Sequence, residues 1–125
     1  MQFLTPRIHG ILDYITGALL LASPWLFGFA DDRHARGIAL VAGGALVFLS
    51  LITDYEPGVL RFVPFPIHRS LDFLLGIMVG GAPIHFGVTG APMAVFMVAG
   101  AMEIGGALLT RSSSNQAGHP IVPGA

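Results

Sequence analysis

Ile8-His9-Gly10-Ile11-Leu12-Asp13-Tyr14-Ile15-Thr16-Gly17 decides the architecture of this chain, because the stretch is written twice. It returns 59 residues later as Ile67-His68-Arg69-Ser70-Leu71-Asp72-Phe73-Leu74-Leu75-Gly76. In the same register Pro24 falls on Pro83, Phe27 on Phe86 and Gly28 on Gly87. Val41-Ala42-Gly43 is echoed by Val98-Ala99-Gly100 at a spacing of 57, so the second copy is two loop residues shorter. The chain therefore reads as one unit doubled within a single domain.

Working outward, the composition says what solvent the units face. Hydrophobic residues make up 54% of the 125 and charged residues only 10%, with a mean hydropathy of +0.75. A water-soluble domain carries about 25% charged residues, so the polar surface is too small for a watery exterior. Helices in lipid present apolar side chains outward and satisfy their own backbone groups. A membrane protein is expected, with the bilayer as its first partner. The net charge of −1 and the lack of a basic run leave no handle for nucleic acid, and no cysteine is present for disulfides or thiolate metal sites.

Four segments are long enough to cross a core of roughly 30 Å: Ile8–Phe29, Gly37–Thr53, Ile67–Val88 and Ala91–Thr110. The fold class is thus all-α, a four-helix transmembrane bundle built from two parallel helical-hairpin repeats, residues 8–54 and 67–111, in a membrane domain spanning 1–111. Two spans per repeat bring both copies in from the same side, giving parallel repeats. Residues 30–36 form a short polar loop between spans, read as solvated. Linker 54–66 is apolar enough to lie in the headgroup layer, and the Ser/Gly/Pro-rich tail, 112–125, reads as disordered. Arg7, Arg61, Arg69 and Arg111 share one side against Arg33 and Arg36 on the other, which places both termini in the cytoplasm. Small residues spaced by four (Ala18/Ala22, Ala39/Gly43, Gly76/Gly80, Ala101/Gly105) suit close helix packing, within the bundle or in a homo-oligomer or other membrane assembly.

The first span ends on Ala22-Ser23-Pro24-Trp25. Pro24 removes a backbone donor and crowds the carbonyl of Leu20, so the last turn is expected to kink or unwind. Ser23 can satisfy a group so freed, and Trp25 suits the outer interface. Ser-Pro-Trp at the end of the first helix of a two-helix repeat resembles the SPW-repeat family of small prokaryotic membrane proteins. The resemblance covers roughly residues 8–110 and implies a multi-pass protein of the prokaryotic inner membrane. It implies no activity. The second copy keeps Pro83 but reads Ala82-Pro83-Ile84, without the serine and the tryptophan.

The residues with chemistry are two H-x-x-x-D pairs, His9/Asp13 and His68/Asp72. Residues four apart share a helical face, so each pair can hydrogen-bond within its own helix. A lone carboxylate in a span costs roughly 2.5–3.5 kcal/mol at mid-membrane, so both pairs should face inward, towards a common axis. The first reading is structural, each pair tied to neighbouring backbone or to the arginines. The alternatives are a divalent metal held by His9, Asp13, His68 and Asp72, haem held between His9 and His68, and proton or ion movement. Glu103 is an intramembrane acid whose counterpart is Leu46, and it serves either as an internal hydrogen bond or as a relay or ligand. No metalloprotease, nucleophile-elbow, P-loop or dinucleotide pattern occurs. The expected function is a non-catalytic scaffold or accessory subunit, with the cofactor-binding or proton-handling protein as the alternative.

Overall fold

The computed structural model describes residues 3–111. The expected disordered tail lies outside them. Four α-helices follow in order: α1 (Pro6–Leu26), α2 (Arg33–Ile52), α3 (Phe65–Phe86) and α4 (Ala91–Leu109). Two of the four, α2 and α4, are long and apolar enough to cross a membrane. In α1 and α3 the histidine and aspartate of the repeated stretch lower the hydropathy below that measure.

Each helix begins and ends for a local reason. Thr5 caps α1 by accepting from the Ile8 amide at 3.2 Å, with Pro6 in the first turn, where its missing donor costs nothing. Asp32 caps α2, its Oδ1 accepting from the Ala35 amide at 3.0 Å. That cap corrects the expected loop: Arg33 to Arg36 are helical, and α2 starts four residues before Gly37. Past each internal proline the chain turns alike. The Phe29 amide donates to the Pro24 carbonyl and the Val88 amide to that of Pro83, both at 2.8 Å. Gly28 and Gly87 take the left-handed conformation that each turn needs (φ +73° and +66°).

The helices touch where side chains vanish. A Cβ placed on Gly43 would lie 2.8 Å from the Gly17 carbonyl oxygen, and one on Gly100 would lie 2.6 Å from that of Gly76. Thus α1 packs closely along α2, and α3 along α4, each at a glycine pair. The seams α2–α3 and α1–α4 are more open and carry shallow apolar clefts. One core cluster draws on all four helices through Leu20, Ala39, Ala42, Val79, Phe96 and Ala99.

The linker is more ordered than an interfacial strip. Two short strands, β1 (Thr53–Asp54) and β2 (Val63–Pro64), pair in parallel, and Leu4 bridges to Thr110 in the same sense. The chain entering α3 is thereby bound to the end of α2, and the chain entering α1 to the end of α4. Val59, Leu60 and Phe62 are exposed, but Tyr55 and Phe65 are buried. Their burial follows from what lies beneath them.

Candidate functional site

The first turns of α1 and α3 bring His9, Asp13, His68 and Asp72 together in one buried quartet. None of the four side chains is more than 5% exposed. Within each helix the pairs stand at 3.3 Å (His9–Asp13) and 2.8 Å (His68–Asp72). Two further links cross between helices: His9 Nε2 lies 2.7 Å from Asp72 Oδ2, and His68 Nε2 lies 2.8 Å from Asp13 Oδ2. Each imidazole thus meets both carboxylates, and the local pairs of the sequence reading are parts of one larger constellation.

The other ring nitrogens show how the imidazoles are oriented. The Thr53 hydroxyl donates to the Leu49 carbonyl at 2.6 Å, so its oxygen is free to accept from His68 Nδ1–H at 2.7 Å. The Thr110 hydroxyl donates to the Gly106 carbonyl in the same way, and His9 Nδ1–H donates to Thr110 Oγ1 at 2.7 Å. Both Nδ1 atoms therefore carry hydrogen, and both Nε2 atoms point at the carboxylates. At 2.7–2.8 Å a nitrogen and a carboxylate oxygen are in contact only across a hydrogen. Hydrogen therefore lies between the imidazoles and the carboxylates.

Arg7 and Arg69, the arginines nearest the two histidines in sequence, have partners of their own. Arg7 pairs with Glu56 at 3.6 Å, and Arg69 donates to the Thr110 carbonyl at 2.7 Å. Aromatic rings close the site instead. Phe65 stacks on His68 (centroids 5.8 Å apart) and meets His9 edge-on at 5.6 Å, while Tyr55 lies 5.2 Å from His68. Tyr55 is seated against Gly10, where a Cβ would come within 2.7 Å of its ring. Tyr14 fastens the linker by donating to the Pro57 carbonyl at 2.9 Å. Burial pushes the Tyr55 phenol well above its ordinary range, so the lid stays uncharged.

Thr53, Thr110, Tyr55 and Phe65 were not singled out from sequence. A signal was available for the threonines: they stand 57 residues apart, the register of the second helices. Glu103 is buried close to the quartet, near enough to interact electrostatically with its four members. Its Oε2 and Asp72 Oδ1 are buried without a hydrogen-bond partner among the described residues.

The donor set can be tested against the two cofactor classes. Haem held by two histidines requires a porphyrin plane between the imidazoles. Here both Nε2 atoms converge on the same pair of carboxylates and Phe65 packs against both rings, an arrangement that does not set the imidazoles on opposite faces of a macrocycle. A single ion fits better, since one ligand atom from each of the four residues lies within 4.8 Å of the others.

At the far end of α1, Ser23 is fully buried and its Oγ donates to the Leu20 carbonyl at 2.7 Å. Leu20 is the residue whose acceptor Pro24, lacking an N–H, leaves open. Pro24 and Pro83 are both buried, and Trp25 points outward, 63% exposed. Serine meets the open acceptor, α1 runs on past Pro24 to Leu26, and tryptophan faces out. The SPW repeat domain family matches residues 7–110. The chain belongs to this family of small membrane proteins. No curated protein and no solved structure matches the chain. For this SPW-repeat protein the inner residues of the motif thus have a structural role, and the polar chemistry lies at the other end of α1.

Proposed function

We propose that the four helices form a transmembrane bundle of two parallel hairpin repeats with both termini cytoplasmic, serving as a non-catalytic scaffold or accessory subunit in a prokaryotic inner-membrane assembly. The observation that carries this reading is the contrast between inside and outside. The histidine–aspartate pairs of α1 and α3 are enclosed in the quartet, whereas Ile15, Leu19, Val41, Phe48, Met78 and Ile84 are exposed. Such an exterior suits lipid and lateral partners. An enclosed quartet under an aromatic lid offers nothing to a soluble substrate.

The crossed hydrogen bonds support a tie between the repeats. Four polar side chains that would each be costly alone in lipid satisfy one another by joining the two halves. The small-residue motifs divide by use. Ala39/Gly43 and Gly76/Gly80 serve the interior, while Ala101 is exposed and Gly105 has open space where a Cβ would stand. The Ala101/Gly105 face of α4 is the surface on which a second copy or another membrane subunit can approach closely.

A test places single cysteines at Ala101 and at each terminus in cysteine-free protein expressed in native membranes. Labelling of both termini from the cytoplasmic side only, with a discrete lateral adduct through Ala101→Cys that is lost on adding Gly105→Leu, is the expected result. Labelling of the termini from opposite sides refutes the parallel repeats. A protein that forms no adduct and remains monomeric in native membranes refutes the scaffold.

A further inference from the structure

We propose that His9, Asp13, His68 and Asp72 bind one divalent transition-metal ion, zinc being the best match, as a structural rivet between the two repeats. The inference deepens the reading of the quartet as a tie and rests on it. Two imidazole nitrogens and two carboxylate oxygens, all from protein, make a closed four-coordinate set of the kind zinc takes in structural sites. Catalytic zinc keeps one position open for water or substrate. The enclosure under Phe65 and Tyr55 leaves none here.

Ligand orientation is the second argument. A metal-binding histidine commonly donates its remote N–H to an outer partner, which fixes the tautomer and aims the other nitrogen. Thr53 and Thr110 hold both Nδ1–H groups in that way, at 2.7 Å each. Both Nε2 atoms are thus directed to the centre. The matched threonines satisfy both buried Nδ1–H groups and at the same time fix which nitrogen of each ring faces the carboxylates.

Size and charge are compatible as well. Tetrahedral arms of about 2.0–2.1 Å set neighbouring donors roughly 3.3 Å apart. The four nitrogen–oxygen separations run from 2.7 to 3.3 Å, so three must open by about half an ångström, a change that small side-chain rotations can supply. Asp72 Oδ1 is buried and has no hydrogen-bond partner among the described residues, so no bond at that oxygen opposes the adjustment. Binding forms two N–metal and two O–metal bonds, and the hydrogens between the imidazoles and the carboxylates leave to solvent. The two aspartate carboxylates offset the 2+ charge of the ion, which avoids the cost of an uncompensated charge in an apolar interior.

The experiment uses the full chain, purified in mild detergent, stripped with chelator, then loaded with Zn²⁺ or Co²⁺ and desalted. The expected result is one ion per chain and a visible cobalt d–d band of tetrahedral type. Thr53→Val should keep the fold and weaken binding about 10- to 100-fold through the outer partner alone. The double variant Asp13→Asn/Asp72→Asn should abolish retention while leaving the exposed His34 and His85 in place. Folded wild-type protein that retains no ion overturns the proposal, as does equal retention with the same cobalt spectrum in the double variant. If the double variant does not fold, wild-type stoichiometry and Thr53→Val decide. A metal-free but intact bundle would sink the rivet and leave the scaffold standing, whereas a failed topology test would remove the scaffold whatever the metal content.

Discussion

Replacing Gly100 by alanine tests whether backbone contact between α3 and α4 holds that hairpin together. The new Cβ would lie 2.6 Å from the Gly76 carbonyl oxygen, 2.7 Å from the Gly80 nitrogen and 2.8 Å from the Gly80 Cα. All three are backbone atoms, so no flexible side chain can yield. Ordinary contact begins at 3.4 Å, and the helices must therefore separate locally by up to about 0.8 Å in a tightly packed interface. A gap of about 0.5–1 Å forfeits roughly a quarter to a half of the dispersion energy of each contact it opens. Overpacking of this kind costs about 1–3 kcal/mol, and the backbone origin of the clash puts Gly100→Ala at the upper end. Gly44 is the control. It also lies mid-helix, but a Cβ there meets nothing within 4 Å, and alanine should gain up to about 1 kcal/mol from helix propensity. The two variants should differ by about 2–4 kcal/mol, roughly 30- to 1,000-fold in the folding equilibrium. Titration of SDS into dodecylmaltoside micelles, followed by far-ultraviolet circular dichroism, measures the difference. Equal midpoints for the two variants would refute the close-packing argument.

Other expectations follow from the quartet, the lid and the proline turn. Asp72→Ala should cost about 3–5 kcal/mol, because it strands imidazoles in a buried site. The same change in a His9→Ala/His68→Ala background should cost markedly less, and additive losses in that cycle would argue against a single coupled quartet. Ser23→Ala strands the Leu20 carbonyl and should cost about 1–3 kcal/mol, whereas Trp25→Ala, at an exposed site, should alter detergent or lipid preference more than stability; the reverse ranking would contradict the motif's geometry. The raised Tyr55 phenol gives a stability contribution that is fully present below its ordinary pKa of 10.0. It falls as pH rises above that value, since the unfolded chain then loses a proton that the folded chain keeps. Tyr55→Phe should flatten this alkaline limb in unfolding titrations, and an unchanged limb would show that Tyr55 is not the group responsible.

Some of this was legible without coordinates because it depends on spacing along one helix. The four-residue interval puts His9 with Asp13 and His68 with Asp72 on shared faces, and the cost of a carboxylate in apolar surroundings requires those faces to be enclosed. The relation of Pro24 to Leu20, with Ser23 beside it, is likewise a local matter of backbone donors and acceptors. Periodicity and hydropathy located four helices to within a few residues, missing the early start of α2 where Asp32 competes as a cap.

Partner choice across space is a different kind of information. The repeat spacing alone could not reveal that His9 reaches Asp72, that His68 reaches Asp13, or that each ring leans on a threonine at the end of another helix. Those choices depend on how far α1 stands from α3, a distance governed by the packing of the whole bundle. Tyr55 and Phe65 belong to the same class: in the sequence they read as interfacial linker residues, and only the seating of the linker against Gly10 turns them into a lid. Local chemistry named the polar residues of this protein, and tertiary packing decided which of them meet.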